Sequence, residues 1–177
     1  MRKSNSLFSA AFVVLIALFL PFPGRSLAAP AHQIAQVVMV HDGDTVTLQM
    51  DNKRYRTRLI GMDAPEMGQR PWGRRAKDHL QGIVNGAGGK VFVETDMTLH
   101  DKYDRLLAYL WLDDARMVNE LMVKDGYAVL FTIRPNNRYA ERFRKAQGSA
   151  RSAQLNIWGP GGLKERPVEY RKKHPRQ

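Results

Sequence analysis

Residues 36–61 read QVVMVHDGDTVTLQMDNKRYRTRLIG, and they decide the fold. Gln36-Val37-Val38-Met39-Val40 is apolar and β-branched, and Thr45 to Met50 alternates at period two, so both segments predict strands. Asp42-Gly43-Asp44 between them is a turn signal, and Asp51-Asn52-Lys53 supplies the next turn. Tyr55 to Gly61 predicts a third strand. Tyr55, Thr57 and Leu59 share one face of it, and Arg54, Arg56 and Arg58 share the other, where so many guanidinium groups are out of place in a core.

Working outward, Ala64-Pro65-Glu66 ends this meander, because proline cannot continue a ladder. Residues 72–84 predict a helix, with Trp72, Ala76, Leu80 and Ile83/Val84 at helical spacing, closed by Asn85-Gly86-Ala87-Gly88-Gly89. Val91-Phe92-Val93 and Leu106 to Leu112 are two further strands, separated by a polar loop from Thr98 to Asp104. A short helix over 116–125 stops at Gly126, an extended run covers Tyr127 to Ile133, and a charged amphipathic helix covers 137–154. The set is α+β and mainly β. Five antiparallel strands with three helices close most naturally into an OB-fold barrel. Trp111, Phe92, Tyr109 and Trp158 read as core. Glu141, Arg142, Arg144 and Lys145 read as a solvated helix face, and His41 and His100 as incidental.

The chain has 177 residues, 44% of them hydrophobic, which excludes wholesale disorder. It lacks cysteine, which excludes disulfides, zinc–thiolate sites and a cysteine nucleophile. Lys and Arg number 28 against 17 acids, a net +11 that calls for an anionic partner. Arg2 and Lys3, the apolar run Leu7 to Leu20, and the small residues Ser26, Ala28 and Ala29 follow the order of a secretory signal peptide. The apolar run is 14 residues long, short of the roughly 20 a span requires. Removing 1–28 leaves 25 basic residues against 17 acids, a net +8, so the positive charge belongs to the remaining chain. The expected organisation is a leader over 1–28, a folded barrel domain over 29–163, and a disordered basic tail over 164–177. Export to the periplasm or the medium follows, as a monomer with no lasting membrane association. An uncleaved leader that tethers the chain is the competing reading.

Asp44 starts the second strand and Asp63 ends the third, so antiparallel pairing brings the two carboxylates together. Such a pair suits a hard cation, calcium or magnesium. Arg58 lies five residues before Asp63 on the same strand. A guanidinium beside a cation calls for an anion between them, and a phosphate can bond both. Glu66 is then placed to accept a proton from an attacking water. Asp101-Lys102-Tyr103-Asp104-Arg105 adds a second arginine, with Lys102 and Tyr103 as phosphate-oxygen donors. The bland alternative for Arg105 is an ion pair with Asp101 or Asp104.

Six segments carry a specific resemblance: Asp42 to Val46, Arg58 to Glu66, Asp101 to Tyr109, Met117 to Glu120, Pro135 to Asn137 and Leu155 to Trp158. In order and spacing they resemble the staphylococcal nuclease (thermonuclease) family across residues 36–158. The resemblance implies an OB-fold barrel and calcium-dependent hydrolysis of DNA and RNA that leaves 3′-phosphates. It implies Asp44, Asp63 and the Ala64 carbonyl as calcium ligands, with Asp42 and Thr45 supporting them. Arg58 and Arg105 would clamp the phosphate and its transition state, and Glu66 would position or deprotonate water. Two tyrosines that line the family's nucleotide pocket are Phe131 and Ile133 here. Phe131 can still stack on a base, whereas a hydroxyl contact is lost. The alternative function is a non-catalytic nucleic-acid-binding barrel, which would have no use for a carboxylate cluster that repels phosphate.

Overall fold

The computed structural model describes residues 33–175, so the expected leader over 1–28 lies outside the described residues. Among the described residues seven strands are formed: β1 (Gln33–Val40), β2 (Thr45–Met50), β3 (Lys53–Leu59), β4 (Gly61–Asp63), β5 (Lys90–His100), β6 (Leu106–Trp111) and β7 (Val129–Phe131). The α-helices are α1 (Trp72–Gly86), α2 (Val118–Lys124), α3 (Ala140–Ser152) and α4 (Pro167–Lys173). No helix among the described residues is long and apolar enough to cross a membrane.

Five strands close a barrel in the order β1-β2-β3-β6-β5, the OB-type architecture expected. The expectation of antiparallel pairing throughout is corrected at one seam. β3 and β6 run parallel, with Thr57 opposite Leu106 and Leu59 opposite Ala108. An odd number of strands cannot alternate in direction all the way round a closed ring. β4 and β7 form a separate two-stranded sheet. β5 also runs further than the sequence pattern suggested, into the stretch read as a loop. Buried Asn136 holds it there like a missing strand: its Oδ1 accepts from the Thr98 N–H and its Nδ2 donates to the Thr98 carbonyl, both at 2.8 Å.

The barrel interior is filled by Val46, Leu48, Leu59, Val91, Ala108 and Leu110, and α1 covers one end with Ala76, Leu80 and Val84. Trp111 and Tyr109 are buried as expected, around a buried Glu94 that accepts from Trp111 Nε1 (2.8 Å) and from the Tyr139 hydroxyl (2.9 Å) and pairs with Arg138. Arg142 departs from the solvated-face reading. It donates to Glu120 at 2.6 Å and lies over the Trp111 ring, bracing α3 against α2.

Asn119, in α2, ties the barrel seam together. Its Nδ2 donates to the carbonyls of Ile60 (2.9 Å) and Ala108 (3.1 Å), and its Oδ1 accepts from the Leu110 N–H (2.9 Å). With no exposure at that position, Asn119→Ala strands several backbone groups at about 1–3 kcal/mol each. Denaturant unfolding of Asn119→Ala should register a loss of about 3 kcal/mol or more.

Candidate active site

Two glycines bring the acidic turns together. At Gly43 an added Cβ would lie 2.6 Å from the Ala64 Cβ and 2.7 Å from the Ala76 Cβ, so only glycine lets the first turn approach the segment after β4 and helix α1. At Gly61 the backbone turns with φ +84, and a Cβ would sit 2.3 Å from the Phe143 ring. This turn ends β3 and starts β4. Arg58 and Asp63 therefore do not lie on one continuous strand, as the alternation count assumed; the break at Gly61 swings Asp63 back over Arg58.

The result is a compact charge cluster. Arg58 Nη2 lies 3.1 Å from Asp44 Oδ2 and 3.0 Å from Asp63 Oδ1, so two buried carboxylates meet at a single guanidinium nitrogen. Thr45 stands opposite Arg58 across the β2–β3 ladder and donates its hydroxyl to Asp44 Oδ1 at 3.1 Å. Asp42 Oδ1 accepts from the Asp44 N–H (3.0 Å), and Asp44 Oδ2 accepts from the Ala64 N–H (2.9 Å). Burial, helped by neighbouring Asp42, pushes the Asp44 carboxyl up to about 6 despite the opposing Arg58 charge. Burial likewise raises Asp63, against Arg171 and Arg58. Because the Asp44 carboxyl is raised, its ionisation weakens the fold as pH climbs from the ordinary carboxylate range through about 6, and Asp63 acts in the same direction.

Arg171 was not anticipated. The stretch read as a disordered tail contains α4, which places this side chain in the cluster. Its Nη1 and Nη2 grip Asp63 Oδ1 and Oδ2 at 3.0 and 2.9 Å, and Nη1 also donates to Glu66 Oε1 at 2.8 Å. The local signals were present. Pro167 occupies the first helical turn, and Glu169 accepts from the Arg166 N–H at 3.0 Å. A seven-residue helix is marginal by itself, so its existence depends on docking that sequence alone does not reveal.

The cluster opens into two adjoining clefts. One, of about 300 Å³, is lined by Asp42, Asp44, Thr45, Arg58, Ala64, Glu66, Tyr103, Arg105 and Arg171. The other, of about 520 Å³, adds Met62, Lys102, Phe131 and Ile133 to the shared Arg58, Tyr103, Arg105 and Arg171. Thus all the anticipated site residues line one or other of these clefts except Asp63, which is fully buried. Arg105 does form the ion pair considered for it: Nη2 lies 2.6 Å from Asp101 Oδ2, with Arg105 lining both clefts and Asp101 the larger one. Burial disfavours the charged Asp101, but the Arg105 guanidinium and the backbone N–H groups of Arg105 and Tyr103 outweigh it and hold the carboxyl below its usual range. Of the histidines, His41 bonds Thr47 Oγ1 at 2.8 Å.

Among the described residues no group of three or more His, Cys, Asp and Glu side chains is arranged to hold a metal. What the chain offers is the buried pair Asp44 and Asp63, with only oxygen donors nearby. That chemistry fits a hard cation that retains water in its coordination sphere, and does not fit zinc or copper.

A five-stranded barrel that gathers acids and arginines at one cleft defines an OB-fold class with a charged site at the strand ends. Comparison with known proteins makes the assignment particular. Residues 56–160 match the family model "Staphylococcal nuclease homologue". The thermonuclease of Staphylococcus hyicus is 36% identical over 158 residues, covering 84% of this chain and 92% of that protein. The thermonuclease of Staphylococcus intermedius is 37% identical over 127 residues, covering 69% and 74%. Endonuclease YncB of Bacillus subtilis is 34% identical over 128 residues, covering 68% of this chain and 59% of its own. The chain belongs to the staphylococcal nuclease family.

Proposed function

We propose that this chain is an exported, monomeric, calcium-dependent phosphodiesterase that hydrolyses DNA and RNA and leaves 3′-phosphate ends. One observation carries the reading: Arg58 bridges the buried Asp44 and Asp63 and lines the same cleft as Glu66 and Arg105. The names of the relatives support the reaction class.

Asp44, Asp63 and the Ala64 carbonyl would hold the calcium ion. When bound, it supplies charge neutralisation at a phosphate oxygen and orients water. The remaining work falls to the chain's own groups. Arg58 on β3 and Arg105 just before its neighbour β6 bond the non-bridging phosphate oxygens and stabilise the charge that builds as water attacks phosphorus. Glu66 positions that water or takes its proton. The bond between phosphorus and the 5′-oxygen breaks, the phosphate stays on the 3′ side, and the departing oxygen takes a proton from solvent. Lys102 and Tyr103 contact the neighbouring phosphate, and Phe131 supplies a face for a base.

The test is degradation of DNA and RNA with calcium against an excess of chelator; activity that survives chelation would remove the cation from the reading. A readout free of activity accompanies it. The buried acids favour a bound cation, and calcium at about 100 times its Kd stabilises the fold by about 2.7 kcal/mol. For a domain of this size the melting temperature should rise by roughly 5–10 °C and fall back with chelator. Mass measurement of the exported product should find a new N-terminus near residue 29.

A further inference from the structure

The arginine row on β3 is only partly used by the cleft, since Arg58 enters it while Arg54 and Arg56 are exposed on the same strand face. Across the hairpin their partners are Gln49 and Thr47, which carry no charge, and neither arginine is ion-paired among the described residues. The face is electropositive: beyond burial, the charges of Arg56 and Lys77 lower the pKa of His41. Alternate residues on a strand repeat at roughly 6.7 Å, which is close to the spacing of successive phosphates along an extended single strand. The outer face of these strands is also where OB barrels admit oligonucleotides.

We propose that Arg54 and Arg56 extend the Arg58 clamp into a phosphate track along β3, holding phosphates of a bound strand beyond the one at Arg58. This rests on the nucleic-acid reading above. The experiment measures anisotropy of a labelled twelve-nucleotide single strand over a range of salt, with chelator present to prevent cleavage. Each single-strand phosphate contact contributes about 0.7 to the slope of log K against log salt. The double variant Arg54→Ala/Arg56→Ala should lose roughly 1.4 from that slope and bind about tenfold more weakly. Lys145→Ala, exposed on α3, should match the wild type. An unchanged slope in the double variant, or an equal loss in Lys145→Ala, overturns the track alone. Failure of the wild type to bind any strand overturns the nucleic-acid reading with it.

A separate observation carries a second inference. α4 is docked on the loop that bears Glu66: Gln69 Nε2 donates to the Glu165 carbonyl (3.0 Å), Pro167 is buried, and Gly68 leaves the space that the Tyr170 hydroxyl fills. This docking delivers Arg171 onto both Asp63 oxygens and onto Glu66. The geometry points to α4 as an internal latch whose guanidinium competes with a divalent cation for Asp63 and keeps Glu66 engaged until the cation displaces it. It also rests on the cation reading. Calorimetric titration of the substrate-free protein with calcium tests it. Arg171→Ala should bind calcium at least fivefold more tightly than the wild type, and calcium should speed tryptic cleavage of the wild type at Arg171, Lys172 and Lys173. Equal or weaker calcium binding in Arg171→Ala overturns the latch while leaving the cation site intact. Absence of calcium binding in both proteins overturns the two readings together.

Discussion

Glu66→Gln is expected to cut DNA hydrolysis by about 10²–10⁴-fold while the protein stays folded, because a general base contributes on that order and glutamine cannot take a proton. Two features of the cleft sharpen this expectation. Glu66 is half-buried at the mouth, and its Oε1 is within 2.8 Å of Arg171 Nη1, so glutamine retains a hydrogen-bond acceptor there. Its backbone N–H bonds Gln69 Oε1 at 2.9 Å, which holds the loop independently of the side chain. Stability and the calcium-induced rise in melting temperature should therefore survive while turnover collapses. Unchanged kcat in Glu66→Gln would remove Glu66 from the chemistry and leave it a loop residue.

Arg58→Ala is expected to damage both function and fold. Losing one donor to a developing phosphate charge costs about 10²–10³-fold in turnover. The same change strips Asp44 of its nearest cation, since Arg58 is the only ion-pair partner found for it among the described residues. Breaking a buried pair on one side costs roughly 3–5 kcal/mol, moderated here because Arg171 still holds Asp63. Arg58→Lys separates the two effects. A lysine keeps the charge and much of the stability but cannot reproduce the planar fork that meets a phosphate with two bonds, so activity should remain low. A lysine variant with full kcat would mean that charge alone, and not bidentate geometry, does the work. Arg105→Ala offers a milder contrast in stability, because Asp101 keeps its bonds from the backbone N–H groups of Tyr103 and Arg105 when the guanidinium is lost.

The barrel was legible from residues 36–61 because strand alternation and turn chemistry are local properties, encoded in neighbouring side chains. The approach of Arg58 to the Asp44 turn was legible for a related reason: hairpin register follows from turn positions, and Thr45 indeed stands opposite Arg58. The route from Arg58 to Asp63 was not. Alternation assumes a continuous strand, and the left-handed turn at Gly61 is required by the packing of Phe143, 82 positions away in sequence. Arg142 shows the same limit, since its charge suggested solvent while its partners Glu120 and Trp111 lie in other elements. So does Asn136, whose bonds to Thr98 convert an apparent loop into strand.

By itself, then, the sequence determined a five-stranded barrel, a basic chain suited to an anionic partner, and the acids and arginines gathered along one edge of the meander. Those depend on periodicity, composition and short-range turns, which neighbouring residues settle among themselves. The tertiary structure alone decided that one barrel seam is parallel, that Asp44 and Asp63 share one nitrogen of Arg58, and that Arg171 reaches the same acids from the C-terminal end. Each of these follows from closure of the chain on itself, where ring parity, burial of charge and docking of a marginal helix set the outcome.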